Sequence, residues 1–242
     1  MLRLNLRKGD STIRFGDVPA WSEVDGPELT PAQVAARING KRVLVLVHGY
    51  NVTDAFDAYC RIESHLETRN EYGITPWYDE VIGAALPLSR LEWAFWLAVM
   101  RAGKAGRLLA AALEDFEPAA LDIEAHSLGC MVTLEALDHG LYCRNAILTA
   151  AAVDNESIQE REKYALAVQR AGRILVAYSR HDPVLRGAYK IGMWDNALGL
   201  TGPQNPARCN RRIESLDCSD VVDAHGAYKR CEMLFDAWRE IA

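Results

Sequence analysis

Leu121-Asp-Ile-Glu-Ala-His-Ser-Leu-Gly-Cys-Met-Val-Thr-Leu-Glu-Ala-Leu-Asp-His139 changes period in its middle. Leu121–Ala125 reads as a short strand and Leu128 onward as a helix running to about His139. Ser127 stands at the junction, in Ala125-His126-Ser127-Leu128-Gly129. A strand that turns sharply into a helix pushes the serine hydroxyl out above the sheet. Small residues at 125 and 129 let that turn pack closely. The helix that begins at Leu128 aims unpaired N–H groups and its positive dipole end at the same spot.

Outward from this point the chain alternates strand and helix. Val43-Leu-Val-Leu-Val47 is a continuous apolar run rich in β-branched residues, as in a strand buried on both faces. It leads into His48-Gly49-Tyr50-Asn51. Thr53 then reads as the N-cap of a helix with Phe56, Tyr59, Ile62 and Leu66 on one face. Val81–Leu86 reads as a strand stopped by Pro87. A helical stretch follows from Ser89 to about Glu114, with Gly103 and Gly106 as its weak points. Ala146–Val153 and Arg173–Ser179 read as strands around a helix from Glu156 to Arg170. Residues 186–210 read as a mostly irregular excursion, Arg211–Leu216 as the last strand, and Tyr228–Ile241 as an amphipathic helix. This order implies a single α/β domain over 1–242, a mostly parallel sheet of about six to eight strands with helices on both faces. Residues 1–40 read as an irregular N-terminal segment, with one edge-strand run at Thr12–Phe15. In such sheets ligands bind beyond the carboxyl ends of the strands. His48, Ser127 and Asp182 all lie there.

The bulk properties narrow the partners. A net charge of −6 over 242 residues argues against nucleic acid and anionic membrane as partners, because both need a basic surface. The basic N-terminus has no apolar core segment and no small-residue cleavage site, so it does not read as a secretory signal. The most apolar run, Leu91–Met100, is far short of the roughly 20 residues that span a bilayer. The six cysteines are not spaced as metal ligands, and they read as reduced structural thiols of a cytoplasmic protein, with Cys209–Cys218 the one disulfide left open. Neither phosphate-loop pattern occurs. No cofactor and no metal are expected.

A serine hydroxyl is a weak nucleophile and needs a base within hydrogen-bond reach. Here the sequence resembles the α/β-hydrolase superfamily, in its esterase, lipase and thioesterase branches. The resemblance runs from about Lys41 to the C-terminus. It rests on the elbow around Ser127, on the His48-Gly49 loop after an early strand, and on the chain order of nucleophile, acid and base. The family's elbow is G-x-S-x-G, and Ala125 departs from it with another small residue. The resemblance implies Ser127 as nucleophile, Asp182 as acid and His225 as base. It also implies an oxyanion hole from the backbone N–H groups of Tyr50 and Leu128. His48 and Gly49 would support that loop.

Alternatives stay open at several positions. His181 is the second candidate for the base and Asp154 for the acid. His126 is read as pointing elsewhere on the turn, His65 as solvated, and His139 as a helix-end residue. Asp220 and Asp223 read as turn formers. Trp93, Phe95, Trp96 and Met100 read as a helix packed on the sheet, with a lid as the second reading. Residues 187–206, with Trp194, are the other lid candidate. The implied function is hydrolysis of an ester or thioester in a small acyl substrate. Acyl transfer by the same triad and a non-catalytic binding module on the same scaffold are the rival readings.

Overall fold

The computed structural model describes residues 1–9, 11–50, 59, 62, 78–87, 95–193 and 195–241. Its sheet has eight strands: β1 (Leu2–Lys8), β2 (Ser11–Glu23), β3 (Arg42–Val47), β4 (Glu80–Ala85), β5 (Ala120–His126), β6 (Cys143–Thr149), β7 (Ala171–Tyr178) and β8 (Ile213–Asp217). They lie in the order β2-β1-β4-β3-β5-β6-β7-β8. All neighbours pair in parallel except β1 and β2, which form an antiparallel edge. Among the described residues the α-helices are α1 (Pro31–Ile38), α2 (Phe95–Leu113), α3 (Leu128–Asp138), α4 (Ala165–Gln169), α5 (Lys190–Met193), α6 (Leu198–Thr201) and α7 (Glu232–Ile241).

The apolar run at β3 is explained by its two faces. Val43, Val45 and Val47 enter one core with residues of α1, α2 and α3. Leu44 and Leu46 enter a second core, on the other side, with Leu234, Phe235 and Trp238 of α7. Successive side chains of a strand point to opposite faces, so a central strand needs apolar residues at every position. β7 repeats the pattern, with Ile174 and Val176 on one side and Leu175 and Ala177 on the other. Helices therefore cover both faces of the sheet.

The first forty residues are not irregular. Leu2, Leu4 and Leu6 are fully buried and alternate with Arg3, Asn5 and Arg7, which is the period of a strand with one buried face. α1 opens on a capping box: Thr30 accepts from the Gln33 N–H and the Gln33 side chain accepts from the Thr30 N–H, with Pro31 next. The basic residues of this segment mask a pattern that the leucines carry.

The helix expected over Glu156–Arg170 is confined to Ala165–Gln169. Upstream of it, Arg161 takes a positive φ of 72°, and the Glu160 N–H donates to Arg208 O. Other N–H groups here close local turns, such as Gln159 to Glu156 O and Glu162 to Gln159 O, in place of the helical ladder. β6 ends at Thr149 rather than Val153, because Ala150 turns the backbone to a φ of 47°. Within α2, Gly103 and Gly106 do not break the helix. A Cβ on Gly106 would come within 2.7 Å of Val132 O, so glycine there lets α2 press against α3.

The five described cysteines are all free. Cys218 is buried at the end of β8, while Cys209 is half-buried and no bond joins the two. The helix expected from Thr53 lies outside the described residues apart from Tyr59 and Ile62, both buried in the second core. Ser89, Trp93, His65, Asn51, Cys60 and Trp194 also lie outside them.

Candidate active site

Ser127 links β5 to α3 with a φ of 58° and a ψ of −123°. A positive φ is uncommon for a residue with a side chain and persists only where the surroundings fix it. Here its N–H donates to Thr149 O at 2.9 Å, and its carbonyl receives the N–H groups of Cys130 and Ala152, both at 3.1 Å. Two glycines let the chain close around it. A Cβ on Gly129 would come within 2.6 Å of His48 O and closer still to Val47 O. A Cβ on Gly49 would stand 2.7 Å from the Ser127 Cβ. The turn and the loop after β3 are therefore pressed together by the absence of two side chains.

Three side chains from distant parts of the sequence meet at this turn. Nε2 of His225 is 2.9 Å from Oγ of Ser127. Nδ1 of the same ring is 2.7 Å from Oδ2 of Asp182. The carboxylate can only accept, so Nδ1 carries the proton and Nε2 is left to accept from the serine. Asp182 is wholly buried just past β7, and its Oδ1 accepts from the N–H groups of Val184 and Leu185. His225 sits on the loop between β8 and α7, its side chain 20% exposed. The other acid candidate, Asp154, accepts instead from the Tyr189 hydroxyl at 2.7 Å. His181 is exposed and its N–H bonds Ser179 Oγ.

His48 is buried beneath the loop that carries Gly49 and Tyr50. Its Nε2 accepts from the Leu86 N–H at 3.0 Å, so its Nδ1 donates, to Gly49 O at 2.8 Å. The ring thus ties the end of β4 to the loop facing Ser127. Leu128 is the first residue of α3, where an N–H has no partner within the helix.

The first part of the loop that carries His225 is held to the residues at and after the end of β7. Cys218 N–H donates to Tyr178 O, Arg180 N–H to Ser219 Oγ, and buried Ser179 Oγ to Val222 O at 2.5 Å. Sequence reading missed Ser179; nothing distinguishes it there from any serine after a strand. It also missed Glu124, which is buried one turn of the pleat below the elbow. Its Oε1 accepts from Thr149 Oγ1 at 3.0 Å, and burial pushes its carboxyl up to about 7.

Of the first lid candidate, Trp93 and the side chains of Phe95 and Trp96 lie outside the described residues. α2 buries Ala98, Ala102, Ala105 and Leu109, and leaves Met100 in solvent. The excursion is bonded into the strand ends through Leu198 N–H to Val153 O and Gly199 N–H to Ala151 O. Among the described residues no group of three or more His, Cys, Asp or Glu is placed to hold a metal ion, and no helix is long and apolar enough to cross a membrane.

A parallel sheet layered between helices, with a serine elbow at the carboxyl end of a central strand, settles the architecture. The chain has the α/β-hydrolase fold. No family model and no curated relative matches the sequence. Among solved structures, this chain is similar to TT1662 from Thermus thermophilus, with 12% identity, a TM-score of 0.48 and 99% of each chain covered. It is also similar to a structure from work on LipS and LipT, two metagenome-derived lipolytic enzymes, with 12% identity and a TM-score of 0.44, covering 84% of this chain and 95% of that one. A third is carboxyl esterase 2 from Tuber melanosporum, with 13% identity and a TM-score of 0.42, covering 92% and 78%. Likeness at this level concerns architecture and does not assign an activity.

Proposed function

We propose that this protein is a serine hydrolase that cleaves a carboxylic ester or thioester through an acyl-enzyme. The reading rests on one observation: an unbroken hydrogen-bonded line from Asp182 through His225 to Ser127 at the mouth of a parallel sheet. Each member has a role that its environment suits. His225 Nε2 takes the proton of Ser127 as Oγ bonds to the acyl carbon. The carbonyl oxygen gains the charge, and the N–H groups of Tyr50 and Leu128 receive it. Each such donor is worth about 3 to 4 kcal/mol of barrier in other enzymes. The tetrahedral species then breaks its bond to the alcohol or thiol, which leaves with the proton from His225. Water repeats the cycle on the acyl-enzyme, and Ser127 regains its proton. Asp182 holds the ring tautomer and stabilises the imidazolium at both stages.

Covalent labelling with a fluorophosphonate, read by intact mass and peptide mapping, tests this directly. The expected result is one adduct on Ser127, absent from Ser127→Ala and strongly slowed in His225→Ala. A folded wild-type protein that takes no label would overturn the reading.

A further inference from the structure

The sequence gives His126 no task beyond standing beside the nucleophile. In the structure its ring faces the base loop. Nε2 of His126 lies 2.7 Å from the backbone oxygen of His225, across 99 positions of chain. A carbonyl only accepts, so Nε2 donates. The two imidazoles also meet edge to face, with centroids 4.8 Å apart and planes at 66°. On its other side the His126 ring packs against Tyr228, at 6.5 Å.

The place of this bond matters. Among the described residues, the bonds that hold the base loop itself from β7 and the residues just after it fall on Cys218, Ser219 and Val222, all ahead of the base, while Asp182 reaches only the ring of His225. At His225 the backbone is held by His126. Because His126 is covalently next to Ser127, any shift of the elbow carries the base with it. Burial, followed by the neighbouring His225, lowers the pKa of His126 to about 4, so the ring stays neutral near pH 7. A neutral neighbour sets no like charge against the imidazolium that forms on His225.

We propose that His126 is a positioning residue of the reaction, a clamp that joins the base loop to the nucleophile elbow and holds His225 Nε2 in line with Ser127 Oγ. The proposal rests on the hydrolase reading above. Small misplacements of reacting groups are costly, so a clamp of this kind acts on the chemical step rather than on substrate binding.

The test compares His126→Ala, His126→Asn and His126→Gln with the wild type, each checked for folding by thermal melting. A glutamine amide N–H reaches about as far as Nε2, and an asparagine amide falls short. The readouts are the fluorophosphonate labelling rate, kcat and KM on p-nitrophenyl acetate, and the low-field NMR resonance of the His225 Nδ1 proton. We expect labelling and kcat to fall about tenfold or more in the alanine and asparagine variants, equivalent to about 1.4 kcal/mol of barrier. KM should stay within about twofold, glutamine should recover most of the rate, and the resonance should broaden in the alanine variant alone among Ala and Gln. Wild-type labelling by His126→Ala, or failure of a folded His126→Gln to recover, overturns the clamp. If the wild type takes no label, the hydrolase reading falls and the resonance decides. Its persistence unchanged in His126→Ala overturns the clamp, and its loss upholds it.

Discussion

Asp182 divides its two oxygens between two jobs: Oδ2 meets Nδ1 of His225 at 2.7 Å, and Oδ1 takes the N–H groups that follow it, at Val184 and Leu185. The carboxylate is fixed by its own loop before it meets the base. Asp182→Asn keeps the shape but offers an amide to the ring and favours the wrong tautomer. It should lower kcat by about four orders of magnitude, as in other serine enzymes. Asp154→Asn touches Tyr189 and not the base, so kcat should stay within about tenfold. Steady-state kinetics of the two variants on one activated ester decides between them. A larger loss in Asp154→Asn would reassign the acid.

Removing the proposed nucleophile, Ser127, should be the most severe change. Ser127→Ala deletes only Oγ, while the N–H bond to Thr149 and the carbonyl bonds to Cys130 and Ala152 remain. Turnover should drop by about four to six orders of magnitude. The positive φ at this position becomes no easier for alanine, so melting should shift by only a few degrees. Near-wild-type turnover in this variant would remove Ser127 from the chemistry.

The elbow should also fail for steric reasons alone. Gly129→Ala would drive a methyl group into the carbonyls of Val47 and His48, which are backbone atoms and cannot rotate away. We expect a loss of about 1 to 3 kcal/mol in stability by urea unfolding. Fluorophosphonate labelling should slow as well, because the loop bearing Tyr50 must retreat. Gly140→Ala, with nothing near its Cβ, tests the backbone contribution alone. It sits at a φ of 109°, so it should lose stability without losing labelling.

Glu124 makes a prediction about pH. Its carboxyl titrates near 4.5 when unfolded and is raised to about 7 in the folded chain. The folded state therefore holds a proton that the unfolded state has released. Its contribution is fully present below about pH 4.5 and is lost as pH rises to about 7. Two and a half pH units correspond to roughly 3 kcal/mol at most. Glu124→Gln cannot ionise, so its stability should pull ahead of the wild type across this interval and hold a constant lead above it. Urea unfolding at pH 4, 6 and 8 measures the difference. A lead that does not grow with pH would mean that Glu124 is ionised in the fold.

How much of this was legible beforehand depended on where the signal lay. The β3 run and the elbow were readable because a strand buried on both sides and a strand-to-helix turn leave patterns confined to a few adjacent residues. Ser127, Asp182 and His225 were named in advance through chain order and family resemblance, and the structure brings their side chains together. β1 was not legible although Leu2, Leu4 and Leu6 alternate, because Arg3, Arg7 and Lys8 give so short a segment a basic character that masks its apolar face. The short α4 was overestimated because local turns, such as Gln159 N–H to Glu156 O, and one distant bond, Glu160 N–H to Arg208 O, take the place of its ladder. The His126 contact with His225 was invisible for the same reason: residue 126 gives no hint of what the loop before α7 will bring to it.

β1 lies between β2 and β4, so a segment made at the start of the chain becomes an interior strand. Its partner β4 ends at Ala85, so the ribbon of β1 and β2 must wait for some sixty further residues before it has a place to dock. Until then β1 has an unguarded border, with every alternate N–H and carbonyl facing water or another molecule. The exposed border of β1 thus belongs to the interval between synthesis and docking, whereas β2 and β8 are the edges of the finished sheet.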